Sequence, residues 1–175
     1  MRSWKRVVGT QVVSVAEGAF VGKLDDFLFD LQTHKISGWR VKTGSVFGKS
    51  GGVAASDLQL LGRDVVLVRA EASIEWAGSG RPRPVDGRAW ASAYLGCSVL
   101  TRVGAACGAV RDLIVDDGGD ALLGVLLEGN LAVALDRAQL GPSAVILETE
   151  SVAVALPEDE GKDEWWQKLK EILTP

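Results

Sequence analysis

The chain states one pattern twice. Residues Gly9 to Asp30 read GTQVVSVAEGAFVGKLDDFLFD, and Gly96 to Asp116 read GCSVLTRVGAACGAVRDLIVD. One residue is dropped between the glycines, so Gly9 answers Gly96 and Gly22 answers Gly108. Beyond them Asp26 answers Asp112, Asp30 answers Asp116 and Gly38 answers Gly124. After a shorter second loop, ASDLQLLG (Ala55 to Gly62) matches ALDRAQLG (Ala134 to Gly141), and DVVLV (Asp64 to Val68) matches SAVIL (Ser143 to Leu147). Repetition at this period makes each copy one supersecondary unit. Units of roughly 70 residues hold thin cores, so the copies are expected to lean on each other.

Within each copy the runs are short, rich in Val, Leu, Ile and Phe, and broken by glycine or polar turns. That punctuation belongs to strands rather than helices. In the first copy it predicts strands near residues 11–15, 21–30, 35–42, 52–54 and 64–68. In the second it predicts 98–102, 109–115, 121–128, 131–134 and 144–148. SDLQLLG is expected to hold one helical turn, capped by Ser56 and closed by Gly62. Short strands joined by hairpins suggest a small closed or nearly closed barrel. The expected organisation is a first barrel over 1–74, a Gly- and Pro-dense linker over 75–92, a second barrel over 93–156, and an acidic segment with a helix over 157–175. In that last stretch Trp165, Trp166, Leu169, Ile172 and Leu173 share one helical face.

In its glycine-led strand (GTQVVSV), its turn and long strand (GAFVGKLDDFLFD), the glycine-centred KISGWRV and the closing ASDLQLLGRDVVLV, the first copy resembles the PRC-barrel family. The resemblance spans about residues 7–70 and, less closely, 93–150. It implies an all-β protein of two tandem small PRC-barrel-like β-barrels with a C-terminal amphipathic α-helix. The family includes the cytoplasmic domain of a photosynthetic reaction-centre subunit and the C-terminal domain of a ribosome maturation factor. What these share is docking on larger assemblies, although a fold carries no single function.

No catalytic set assembles in the sequence. The one histidine, His34, sits in a polar turn without a second imidazole or a nearby cysteine, so neither a zinc site nor a Ser-His-Asp triad has its parts. Asp25 and Asp26 point to opposite faces of a strand, and the recurrence of Asp26 and Asp30 as Asp112 and Asp116 fits scaffold hydrogen bonding. DDGGD (Asp116 to Asp120) lacks the later ligands of a calcium loop and suits a tight turn. GSVFGKSGG (Gly44 to Gly52) lacks phosphate-loop spacing. The expectation is no catalytic residue, no cofactor and no metal.

Charge is uneven. Residues 1–70 hold ten basic against six acidic side chains, 71–156 hold six against eleven, and 157–175 three against six. The basic first half, with Arg40, Lys42, Phe47 and Lys49 on or beside the Gly44–Gly52 loop, is a candidate contact for an acidic protein surface or for RNA. Trp165 and Trp166 are a second candidate, for a partner or a membrane surface; the acidic run before them disfavours anionic lipid and favours packing on the chain's own barrels. No run is long and apolar enough for a membrane span, and Cys97 and Cys107 read as reduced thiols of a cytoplasmic protein. The functions left are a non-catalytic protein-binding or adaptor module on a larger assembly, an RNA- or ribosome-associated maturation factor, and a small-ligand binder using the cleft between the barrels. The oligomeric state is open.

Overall fold

A computed structural model describes residues 1–44, 48–77, 87–157 and 163–174. A two-residue lead-in, β1 (Arg2–Ser3), and a single turn of helix, α1 (Trp4–Val7), precede the first copy. That copy consists of β2 (Gln11–Ser14), β3 (Ala19–Asp30), β4 (Ile36–Lys42), β5 (Ser50–Ala54), β6 (Leu58–Leu61), β7 (Val65–Val68) and β8 (Ile74–Ala77). A second lead-in, β9 (Arg88–Trp90), opens the second copy: β10 (Ser98–Thr101), β11 (Ala106–Val115), β12 (Leu122–Leu127), β13 (Leu131–Ala134), β14 (Ala138–Leu140), β15 (Ala144–Leu147) and β16 (Val154–Ala155). Helix α2 (Asp163–Leu173) ends the described chain.

The strand order is the same in both copies: β6-β7-β2-β3-β4-β5-β8 in the first and β14-β15-β10-β11-β12-β13-β16 in the second. The protein is thus all-β, two tandem barrel-like sheets with one C-terminal helix. Hairpins account for most neighbours, but β2 pairs parallel to β7 and β10 parallel to β15. The glycines that mark the repeat serve this path. Gly9 and Gly96 hold left-handed φ of +85° and +79° at the entry to β2 and β10. At Gly22 a Cβ would lie 2.6 Å from the Lys42 carbonyl oxygen, so only glycine lets β3 press against β4 there.

The register refines the repeat at one place. Gly38 lies opposite Ala54 and Gly124 opposite Ala134, so Ala54, not Ala55, is the counterpart of Ala134. The extra residue of the first copy is absorbed by a bulge between Leu58 and Leu60, and the match resumes at Leu61 and Leu140. The expected helical turn is a three-residue 3-10 turn, Ala55–Asp57, with no side-chain cap, and the residues after it form a strand. Segments expected as linker also pair: β8 lies along β5, and β9 along β3. Residues 78–86, 158–162 and 175 lie outside the described residues.

The copies exchange their lead-ins. β1, at the head of the first copy, pairs with β11 of the second (Ser3 opposite Ile114). β9, at the head of the second, pairs with β3 of the first (Trp90 opposite Leu28). Between them an antiparallel bridge joins Lys35 to Ala121, which are equivalent positions. Its two hydrogen bonds are reciprocal: Ile36 N donates to the Asp120 carbonyl at 2.8 Å, and Leu122 N to the His34 carbonyl at 2.9 Å. Ile36 is the counterpart of Leu122 and His34 of Asp120, so this is an isologous contact written within one chain. One continuous apolar core runs through both copies, from Phe27, Phe29 and Trp39 to Leu113, Val125 and Leu147. At the seam Gly119, with φ of +79°, leaves room for Trp39; a Cβ there would come within 2.9 Å of its ring.

Candidate functional site

The repeated aspartates are the clasps of the exchange. Asp26 is fully buried and accepts hydrogen bonds from Phe27 N (2.9 Å), Ser92 N (3.1 Å) and Ser92 Oγ (2.6 Å). Asp112 accepts from Leu113 N (2.8 Å), Lys5 N (3.2 Å) and the Ser3 hydroxyl. Lys5 and Ser92 are equivalent, one in each lead-in. Each copy therefore holds the other's entering segment with the same carboxylate, which satisfies a buried charge with several donors. Asp30 and Asp116 close turns instead. Asp30 accepts from Gln32 N, Thr33 N and Thr33 Oγ1, and these bonds hold its carboxyl below the usual range. Asp116 accepts from Asp120 N and Ala121 N. Among the described residues no three His, Cys, Asp or Glu side chains gather as metal ligands.

The side chains expected to meet a partner divide sharply. Arg40 is nine-tenths buried, pairs with Asp25 and, at 3.8 Å, with Asp26, and lies 5.3 Å over the Trp90 ring. It is an internal brace. Lys42 is half-exposed and pairs with Asp25 at 3.2 Å. Lys49 is exposed; its backbone N–H donates to Thr43 Oγ1 at 2.8 Å, fixing the root of the loop. Phe47 lies outside the described residues. Trp165 is buried with Leu169 and Leu173 against Ile114, Leu126 and Ala132 of the second copy. Trp166 is half-buried, edge-on to Trp165, with the Arg6 guanidinium 5.5 Å over its ring. The helix thus folds back on its own chain.

Phe20 stands out in the structure although nothing in the sequence singled it out. It is 69% exposed at the β2–β3 hairpin and lines a shallow hollow of about 350 Å³ with Gln11, Lys23, Thr43 and Gly44. The signal was present in the repeat: Gly22 answers Gly108, so Phe20 answers Ala106, and a large apolar residue opposite alanine is no requirement of the core. Lys23 in this hollow is exposed; Lys42, opposite it on β4, is half-exposed, and Lys49, whose backbone meets Thr43, is exposed. On the second copy the corresponding end carries Val103, 90% exposed, in the turn before β11.

The cleft between the copies is a hollow of about 850 Å³, lined by Thr33, His34, Asp136, Arg137, Glu148 and Lys168 among others. His34 is half-buried in the left-handed region (φ +58°), and burial lowers its imidazole below the ordinary value. Cys97 and Cys107 are free thiols. The β10–β11 register puts Cys97 across from Val110, three residues from Cys107 and beyond the reach of a disulfide.

Against this geometry, the family model of the PRC-barrel domain matches residues 1–72. The first copy is a PRC-barrel domain. The second repeats its strand order, so the fold is a tandem of such barrels. No curated protein matches the chain in sequence. Among the described residues no helix of the chain is long and apolar enough to cross a membrane.

Proposed function

We propose that the chain is a non-catalytic adaptor that docks on a protein assembly through the free end of its first barrel. The observation that carries this is Phe20, a large ring left in solvent in a hollow with Lys23 and Thr43, with Lys42 opposite Lys23 on the next strand and Lys49 bound through its backbone to Thr43. An aromatic anchor within a basic rim suits an acidic protein surface with an apolar pocket, because the ring supplies buried area and the lysines steer the encounter. The aspartates and the buried arginine are engaged with each other and with backbone donors, so they serve the scaffold rather than a reaction.

A photoreactive phenylalanine analogue placed at position 20 and illuminated in cells tests this. A discrete protein adduct is expected, lost when Lys23→Glu and Lys49→Glu are added. Adducts of the same pattern from position 103 of the second copy would refute docking specific to the first barrel.

A further inference from the structure

The strongest unassigned feature is a second basic hollow, of about 530 Å³, where the N-terminal segment, the β6–β7 turn and helix α2 meet. Arg2, Arg6, Thr10, Arg63 and Trp166 line it, together with the carboxylates Asp64 and Asp117. It shares no lining residue with the hollow beside Phe20. Asp117 is already engaged by the N-terminal amine at 2.6 Å, which holds its carboxyl below the usual range. Three guanidinium groups therefore face a single uncommitted carboxylate, Asp64.

The arginines are held in different ways. Arg2 donates from Nη1 to the Gly62 carbonyl at 2.9 Å, which holds one tip of its fork, while among the described residues no acceptor meets its other guanidinium nitrogens. A half-buried guanidinium with donors left unmet is costly, and an anion at the site would meet the edge of the fork that faces the hollow. Arg6 is positioned by the Trp166 ring at 5.5 Å rather than by a carboxylate. Arg63 is exposed at the rim, and among the described residues no ion pair occupies it. A planar fork held at one tip, a second set on an indole and a third free to close suit the oxygens of a phosphoryl group better than any apolar ligand.

The geometry points to this hollow as a binding site for a phosphoryl or pyrophosphoryl anion, with Arg2 and Arg6 as its wall and Arg63 as its closing side chain. The anion is either a free polyphosphate or the backbone of a single-stranded nucleic acid. Calorimetric titration of the full chain with sodium pyrophosphate, and separately with a ten-residue oligouridylate, distinguishes the two. Saturable binding is expected, weakened about tenfold or more by Arg63→Glu and by Arg6→Ala, with Arg137→Ala unchanged as the control. Tighter binding of the oligonucleotide, with the same response to Arg63→Glu, assigns the site to a nucleic-acid backbone; tighter binding of pyrophosphate assigns it to the free anion. Arg63 makes no described bond, so its variant stays folded even if Arg6→Ala does not. Absence of saturable binding for both probes, or equal affinity in wild type and Arg63→Glu, overturns the assignment.

Discussion

The outer faces of the two barrels are built on equivalent positions and finished in opposite ways. In the second copy Ile114, Leu126 and Ala132 form an apolar patch, and α2 closes it with Trp165, Leu169 and Leu173. In the first copy the register puts Leu28, Arg40 and Gly52 at those places. Arg40 there is met by Asp25, Asp26 and the Trp90 indole, beside a hollow of about 290 Å³ over Gly51 and Gly52. One exchange, leucine for arginine, turns a face that recruits a helix into one braced by an ion pair. An apolar patch must be covered wherever its cover comes from; a paired charge completes itself locally. The second barrel is consequently tied to the tail of the chain, while the first spends its surface on lysines and Phe20.

Substitutions at matched positions test this difference, beginning with the greatest effect. Trp165→Ala should cost about 4 kcal/mol, as truncation of a fully buried indole does, and should free α2. Limited proteolysis would then release the tail, while backbone NMR shifts of the first barrel stay in place. An undisturbed helix would mean that the patch, not the indole, holds it. Next are the clasps. Asp112→Ala should cost roughly 3 kcal/mol by leaving buried donors of both copies unmet, and Asp26→Ala more, because it also strips a partner from Arg40. Equal losses in chemical denaturation would show that the ion pair adds nothing to the first barrel.

A smaller effect separates the copies by pH. Tyr94 donates to the Gly141 carbonyl at 2.9 Å, and burial pushes its phenol up to about 12. The folded state thus keeps a proton that the unfolded chain releases near the ordinary tyrosine value. Stability should hold below about pH 10 and fall as pH rises from there toward 12. Tyr94→Phe should flatten that decline and cost about 1 kcal/mol at neutral pH. The counterpart in the first copy is Val7, which has nothing to ionise, so the alkaline loss should begin in the second barrel. Least disturbing is Phe20→Asp: a change within about 0.5 kcal/mol, read by thermal melting, with loss of the partner adduct formed by a photoreactive residue placed at position 43 instead.

Much of the architecture was legible because it is local. Glycines at Gly9 and Gly96, the Asp30 and Asp116 turns and the amphipathic period of α2 each act within a few residues of themselves. The recurrence of Asp26 as Asp112 announced a structural duty. Its partners stayed hidden, since Ser92 and Ser3 come from the opposite copy and no local rule connects them. The bulge at Leu58 to Leu60 was invisible for a different reason: ASDLQLLG and ALDRAQLG align by letter across a position where the backbone carries one residue more. Arg40 looked like a surface cation beside a basic loop. Only the pairing of β9 on β3 brings Trp90 over it and turns it inward.

The exchange of lead-ins also bears on how the chain is made. Proteins emerge from the ribosome beginning at the N-terminus, and an autonomous first domain closes as soon as it is out. Here β1 has no sheet to join until Ile114 and Val115 have been synthesised, and the long strand β3 waits for Arg88 to Trp90. The first barrel can gather its core early, but it cannot be finished before most of its sibling exists. The nascent chain thus carries an open edge and an unplaced lead-in segment until the second barrel emerges, and α2, which follows both barrels, then covers the outer face of the second.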